Sequence, residues 1–331
     1  MSNFNFRTFF NILISILPTG IVFILTENVI WLEYTLISCS LYVVFHKYHW
    51  SVTKIILQWI LILSLFSVIY FLSILPIYFA LFTSFLAAIS IGLSEFNQNL
   101  RTLSSFIIIP TFYCAFSFSE YTHSSQILTE FYKIILFSPC SLIGMFLILT
   151  VNGVIPFQKK RIDLSLDFSK NKEPFLIIFT SIFVAIMLGN YFIFKYNLPG
   201  GQWVLWSIVS VANNNVTDTK AKLMHRVHGV FLGSVIGFIL CLIAMYFVVN
   251  IPILGYVIAL LTPATLLIKP YVLAFTSRCL FITLSGYLID HSFFKSFERI
   301  SDVLLGGILG LIITIIVYYI YSFFKKKTII S

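Results

Sequence analysis

Residues 175–195 read FLIIFTSIFVAIMLGNYFIFK, and this stretch decides the fold class. Its only charged residue is Lys195, and it reaches the roughly 20 apolar residues that a helix needs to cross a bilayer. The whole chain has the same character, since 59% of its residues are hydrophobic, 10% are charged, and the mean hydropathy is +1.00. Too little polar surface exists to cover a soluble domain. The sequence therefore predicts an all-α polytopic membrane protein.

Apolar runs bounded by charge, proline, glycine or asparagine give about twelve candidate transmembrane helices. The first six lie near 9–26, 29–45, 53–72, 75–93, 102–118 and 131–152. The second six lie near 175–195, 202–216, 226–249, 253–268, 271–289 and 303–323.

Lysine and arginine are distributed unevenly between the connections. With a cytoplasmic N-terminus, 17 of the 21 basic residues fall on the cytoplasmic side, and the others are Lys133, Lys195, Lys295 and Arg299. Cytoplasmic loops carry the excess of basic residues, so the pattern predicts that both termini lie inside and that the number of spans is even. The net charge of +9 indicates orientation and attraction to the inner leaflet of the lipid bilayer rather than binding of nucleic acid.

A polar segment divides the chain almost equally. Residues 157–174, FQKKRIDLSLDFSKNKEP, are the plausible linker, predicted to be cytoplasmic, between a first membrane half at 1–156 and a second at 175–331. An ungapped alignment of the halves sets Trp31 over Trp203 and Lys54 over Arg226. Small gaps then bring Arg101 near Arg278. Equivalent cationic positions in two six-span halves predict a pair of parallel six-helix repeats.

The most polar stretch next to membrane is 199–237. Trp203 and Trp206 are three residues apart on one helical face, where they either anchor at the membrane interface or line a substrate cavity. Asn213 and Asn214 belong to a run of three asparagines that cannot share one face. These asparagines mark either a helix end or a polar cavity wall.

Asp218, Lys222 and Arg226 follow at intervals of four residues, which places them on one stripe of a helix. Cations near a helix start indicate an anion site, because the N-terminal end of the helix dipole is itself positive. The alternative is that they are ordinary basic residues of a cytoplasmic loop. Small residues then recur at Gly229, Gly233 and Gly237, which predicts a close helix contact within the core or between the protomers of a homodimer.

Other ionisable residues lie within or beside the apolar runs. Arg278 sits inside an apolar run, and such groups are functional candidates. Together with the aligned Arg101 and Lys54, it joins the predicted anion-binding set. Glu33, Asp218 and the i, i+3 pair His225 and His228 are candidates for proton coupling or gating. The alternatives are a hydrated carboxylate for Glu33 and interface residues for the histidines.

Several motifs are absent from the sequence, and their absence limits the mechanism. The chain has no phosphate-binding P-loop, no nucleophile elbow and no H-E-x-x-H zinc motif, and its loops are too short for a catalytic domain. We therefore expect neither enzymatic activity nor a cofactor or metal. Transport work would come from an ion gradient.

The stretch W203…D218…K222…R226-V-H-G229-V-F-L-G233, followed by E298-R299-x-x-D302-x-x-x-G306, resembles the fusaric-acid-resistance (FUSC-like) proteins of the aromatic acid exporter superfamily. The similarity covers most of 175–325. Val230 replaces the usual threonine, and the large domain that many relatives carry between the halves is reduced to 157–174.

The resemblance implies efflux of organic anions, commonly aromatic carboxylates, across the bacterial inner membrane, often with a periplasmic adaptor (membrane fusion) protein. Three alternatives stay open on the residues alone. They are export of a siderophore-like hydroxycarboxylate, a membrane scaffold or assembly factor, and a membrane-embedded enzyme.

Overall fold

The computed structural model describes residues 6–121, 127–152, 166, 171–198, 200–247, 252–268, 270–291 and 293–330. Within these ranges the regular structure is helical, with two short 3₁₀ segments at Leu93–Glu95 and Thr262–Leu267. The helices are α1 Phe6–Thr26, α2 Val29–Tyr48, α3 Val52–Leu72, α4 Pro76–Gly92, α5 Gln98–Tyr121, α6 Ile127–Phe137, α7 Cys140–Asn152, α8 Lys172–Tyr196, α9 Gly201–Val211, α10 Val216–Tyr246, α11 Pro252–Leu261, α12 Tyr271–Asp290 and α13 Phe294–Ile330.

Eight helical segments among the described residues are long and apolar enough to cross a membrane. A helix suits this environment because all its backbone hydrogen bonds close within the segment. The chain is therefore a polytopic α-helical membrane protein, as predicted. The count of twelve spans and the two repeats stay predictions. The segments are Arg7–Thr26, Val52–Leu72, Pro76–Glu95, Ile127–Val151, Lys172–Tyr196, Val216–Tyr246, Tyr271–Asp290 and Phe297–Lys325.

Several helix boundaries differ from the sequence prediction: α9 ends at Val211, α11 gives way to a 3₁₀ segment after Leu261, and α13 begins at Phe294. Two further differences have a clear physical cause. The run near 131–152 breaks into α6 and α7 around Pro139, because proline has no N–H to continue the helical ladder. The helix expected at 226–249 begins ten residues earlier, at Val216. Asn215 accounts for this start, since its Oδ1 accepts a hydrogen bond from Thr217 N at 2.9 Å and caps the helix.

The chain divides into two compact units, and the division falls within α3, α10 and α13. Unit 1 comprises 1–61, 122–161 and 225–298, and unit 2 comprises 62–121, 162–224 and 299–331. Each unit therefore draws on both sequence halves. The predicted halves at 1–156 and 175–331 stay a prediction. Of the predicted linker 157–174, residues 166 and 171–174 are described and the others lie outside the described residues.

Each unit has its own helix packing. In unit 1, α1 packs against α2, α7 and α11, and α11 packs against α12. In unit 2, α8 packs against α4 and α9, while α5 packs against the same two helices. Buried polar side chains bond across these contacts. For example, Asn190 Nδ2 on α8 donates to Thr83 Oγ1 on α4 at 3.1 Å. Such bonds satisfy polar groups that would otherwise be costly to bury.

Candidate functional site

Two predicted anion-binding residues lie at one aromatic ring in unit 1. Arg226 Cζ on α10 lies 4.7 Å from the ring centroid of Phe275 on α12, and Arg278 Cζ lies 5.7 Å from the same centroid. Arg226 is 3% exposed and Phe275 is 4% exposed, so this arrangement is largely shielded from solvent. A guanidinium over an aromatic ring is stabilised by the ring quadrupole, and the interaction strengthens where water is excluded. We call these three residues the arginine cluster.

Arg278 makes a second polar contact within unit 1. Its Nε donates to Thr265 Oγ1 at 3.2 Å, and Thr265 lies in the 3₁₀ segment before α12. Arg226 and Arg278 repel each other electrostatically. The fold therefore holds two like charges at one aromatic ring.

The glycine face of α10 packs against α12 in the same unit. A Cβ added at Gly233 would overlap the backbone oxygen of Thr276, and one at Gly237 would lie 2.9 Å from Thr283 Cβ. A Cβ at Gly229 would lie 3.0 Å from Phe275 Cβ. The missing side chains let the two helices approach closely. The close contact between α10 and α12 therefore sets the position of the Phe275 ring relative to the guanidinium groups of Arg226 and Arg278.

A second polar group lies in unit 2, at the break between α9 and α10. Arg101 Nη2 on α5 donates to Ala212 O at 2.9 Å, and Asn214 Nδ2 donates to Glu95 Oε2 at 2.6 Å. Glu95 also interacts electrostatically with Arg101 and with Lys222 on α10. We call Glu95, Arg101, Asn214 and Lys222 the charge-paired cluster. The cluster contains the predicted cations Arg101 and Lys222 together with Glu95, an acidic residue that the sequence analysis did not select.

The predicted tryptophans lie on α9 of unit 2 in an aromatic group. Trp203 stacks on Trp206 at 5.3 Å between ring centroids, and Tyr113 of α5 meets Trp203 edge-on at 5.6 Å. Arg299 Cζ lies 5.4 Å from the Trp203 ring centroid. Beside this group α5 and α9 enclose a cavity of about 10 Å³, lined partly by Gln202 and Trp206. That volume accommodates about one water molecule, which is too small for a substrate as it stands.

The other predicted residues are more dispersed. In unit 1, Lys54 is exposed with its Nζ 6.0 Å from the Trp50 ring, and Glu33 is 1% exposed within α2. His225 and His228 are exposed on α10. In unit 2, Asn213 Oδ1 accepts a hydrogen bond from Asn214 N at 3.0 Å, which fits the helix-end interpretation. Asp218 of the same unit is exposed and interacts with Lys222.

The structure adds residues that the sequence prediction missed. Phe275 was one of 36 phenylalanines, and the helix pairing that brings it to Arg226 is not visible in the sequence. Glu95 could have been found, because the chain has only 12 acidic residues and this one lies two residues after the predicted span 75–93 and six residues before Arg101. An acidic residue beside a membrane-spanning segment is rare, and this rarity was the feature of the sequence that could have identified Glu95.

Within the described ranges, no group of three or more His, Cys, Asp or Glu residues is arranged to hold a metal ion. The expectation of no cofactor stays an expectation.

Comparison with known proteins supports the resemblance seen in the sequence. The family described as fusaric acid resistance protein-like matches residues 181–313, which run from α8 into α13 and include both arginines of the arginine cluster. No curated protein and no solved structure matches the chain. The apolar helices and the family match together indicate a multi-pass membrane protein. The resemblance is thereby confirmed over 181–313, where this chain is similar to the fusaric acid resistance protein-like family.

Proposed function

We propose that this protein exports organic anions, specifically aromatic or hydroxylated carboxylates, from the cytoplasm across a bacterial inner membrane. The observation that supports the substrate class is the arginine cluster, in which Arg226 and Arg278 lie at one shielded Phe275 ring. The family match over 181–313 supports transport as the activity.

The chemistry of the arginine cluster suits a carboxylate attached to an apolar body. A guanidinium group offers a planar fork of N–H donors that matches the two oxygens of a carboxylate. An anion between two like charges also relieves their repulsion. The Phe275 ring and the apolar spans around it suit an aromatic or aliphatic substrate body.

Export requires the site to load from the cytoplasm, which depends on the predicted orientation. Lys220 and Lys325 are exposed and belong to the predicted cytoplasmic set. Single cysteines placed there in a cysteine-free background should react with an impermeant maleimide in inverted vesicles but not in intact spheroplasts. Labelling in spheroplasts would reverse the orientation and with it the direction of transport.

The direct test is uptake of a panel of organic acids into inverted membrane vesicles, where export appears as accumulation. The panel holds benzoate-type, hydroxylated and aliphatic carboxylates beside a neutral aromatic amide. We expect accumulation of aromatic or hydroxylated acids but not of the amide, and we expect Arg226→Ala to abolish it. Lys220→Ala is the matched control, because it removes one charge from an exposed position on the same helix. Equal loss in both variants, or uptake of the amide, would contradict the proposal.

The coupling and the partners are part of the same proposal. An ion gradient would drive the cycle, with Asp218, Glu33, His225 and His228 as the candidate proton carriers or gating residues. Collapse of the proton gradient by an ionophore should then stop accumulation in the vesicles. A periplasmic adaptor protein and a homodimer are the proposed assembly partners.

A further inference from the structure

The charge-paired cluster of unit 2 contains a carboxylate that belongs to the protein itself. Glu95 closes the 3₁₀ segment after α4, and its Oε2 accepts the 2.6 Å hydrogen bond from Asn214 Nδ2. Its backbone oxygen accepts a second bond, from Asn171 Nδ2 at 2.9 Å. Two asparagine side chains from different parts of unit 2 therefore fix Glu95 at the break between α9 and α10.

The surroundings of Glu95 are those of an anion-binding site. Arg101 Nη2 donates a hydrogen bond at 2.9 Å to Ala212 O, in the segment between α9 and α10. Lys222 lies about two turns into α10. Both cations interact electrostatically with Glu95, and they repel each other. The break also presents the N-terminal end of the 31-residue helix α10, where negative charge is favoured. Discontinuous helices of this kind bind the anionic groups of substrates in other transporters.

We propose that the Glu95 carboxylate occupies an anion site of unit 2 in place of a transported carboxylate, which must displace it to reach Arg101 and Lys222. This inference rests on the proposed transport of organic anions. Glu95 is then an internal competitor, and it sets the affinity of the site without contacting the substrate. When the carboxylate is displaced or neutral, Lys222 still interacts with the exposed Asp218.

The test is binding of benzoate to the purified full-length chain in detergent, measured by titration calorimetry. Glu95→Gln keeps the side-chain shape and an acceptor for Asn214 but removes the charge. We expect it to bind benzoate roughly tenfold more tightly, within the range usual for coupled sites. The control is Glu173→Gln, which removes the same charge in unit 2 from an exposed residue that pairs with Lys325. It should leave the affinity unchanged.

Two further measurements locate the effect. Adding Arg101→Ala to Glu95→Gln should abolish the gain, because the cation that binds benzoate in place of Glu95 is then missing. In the wild-type chain, saturating benzoate should speed hydrogen exchange at 93–97, since the Glu95 contacts open. This second readout needs no variant to fold. An unchanged benzoate affinity in Glu95→Gln, or slower exchange at 93–97 with benzoate, would overturn the inference.

The outcome separates this inference from the proposed function. Vesicles that export benzoate while Glu95→Gln binds it no more tightly would overturn the role of Glu95 alone. Vesicles that export no acid, with tighter benzoate binding by Glu95→Gln, would overturn the proposed function and leave the competing carboxylate supported.

Discussion

The two units of this protein accommodate positive charge in different ways. In unit 1, Arg226 and Arg278 lie at the ring of Phe275, and Arg278 also bonds a threonine hydroxyl. In unit 2, Arg101 and Lys222 interact with the carboxylate of Glu95, which accepts a hydrogen bond from Asn214, while the Glu95 backbone oxygen accepts one from Asn171. A ring stabilises a cation without neutralising it, whereas a carboxylate neutralises it. The comparison predicts opposite responses: unit 1 should lose function when its guanidinium groups change, and unit 2 should gain anion affinity when its acid is neutralised.

The largest effect should come from the glycine face that positions the arginine cluster. Gly233→Leu would drive a side chain into the Thr276 backbone oxygen and separate α10 from α12. Overpacking an interior costs about 1–3 kcal/mol even where side chains can adjust, and a backbone atom cannot. We expect little folded protein by size-exclusion chromatography in detergent.

The matched control for this change is on the partner helix. A Cβ at Gly286 of α12 would meet no atom within 4 Å, so Gly286→Leu should remain folded. Gly200 is unsuitable as a control, because a Cβ there would overlap the Asp302 carboxylate. Equal chromatographic behaviour of the Gly233 and Gly286 variants would show that the glycine face does not hold unit 1 together.

The next effect tests whether unit 1 needs guanidinium groups or only positive charge. Arg226→Lys and Arg278→Lys keep the charge but lose the planar fork that bonds both oxygens of a carboxylate. Losing one charge-assisted hydrogen bond of about 1.5 kcal/mol predicts roughly tenfold slower uptake into inverted vesicles. Protein abundance should be normal, and Lys220→Arg should transport like the wild type. Full uptake by both lysine variants would show that these positions need only a positive charge, as the orientation of the chain in the membrane does.

A smaller effect should follow from removing the ring itself. Phe275→Leu keeps an apolar side chain but removes the interaction with both guanidinium groups. Cation–π contacts of about 0.5–1.4 kcal/mol predict a fall in uptake of about two- to tenfold. Phe275→Tyr should retain most of it. Phe293→Leu is the control, because Phe293 stacks on Tyr287 in the same unit. If both leucine variants lose uptake equally, the ring has a packing role only.

The predictability of these two clusters from sequence differs for a physical reason. The apolar runs predicted the class of a polytopic α-helical membrane protein, because crossing a bilayer imposes a length and a composition that a sequence displays directly. Arg226 was selected from its four-residue spacing with Asp218 and Lys222, and Arg278 was selected because ionisable groups within apolar runs are rare. Their common ring was not found, since helix pairing depends on three-dimensional packing that no periodicity encodes.

Local chain breaks were harder to predict than long helices. The sequence placed the start of α10 at 226, because six of its first ten residues are polar, but Asn215 caps a helix from Val216. Because α10 starts at Val216, Asn214 lies in the short segment between α9 and α10, where its side chain donates a hydrogen bond to the Glu95 carboxylate. A charge asymmetry can orient a chain, but it cannot reveal that Glu95 and Asn214, 119 positions apart, share a hydrogen bond.

A more modest effect tests whether charge pairing holds unit 2 together. Asn214→Asp would replace the 2.6 Å hydrogen bond to Glu95 by two facing carboxylates. We expect the loss of this bond to cost about 1 kcal/mol or more, seen as a lower melting temperature of the purified protein. Adding Glu95→Gln should restore the melting temperature, because an amide can donate to the new aspartate.

Asn213→Asp is the neighbouring control for this pair. Asn213 uses its Oδ1 to accept a hydrogen bond from Asn214 N at 3.0 Å, and an aspartate can accept the same bond. Its melting temperature should therefore change little. Failure of the double variant to recover would mean that Asn214 acts through contacts other than Glu95.

The smallest effect should come from an ion pair on the surface of unit 2. Lys325 Nζ lies 2.9 Å from Glu173 Oε2, a distance close to that of the Glu95–Asn214 bond, but both side chains are about half exposed. Water and salt screen such a pair, and ordering two long side chains offsets its attraction. Lys325→Ala should therefore leave both the melting temperature and vesicle uptake within experimental error, at low and at high salt. A clear loss of stability at low salt would mean that this exposed ion pair stabilises unit 2 as much as the partly buried charge-paired cluster does. The difference between the two clusters could then not be explained by how far their charges are removed from water.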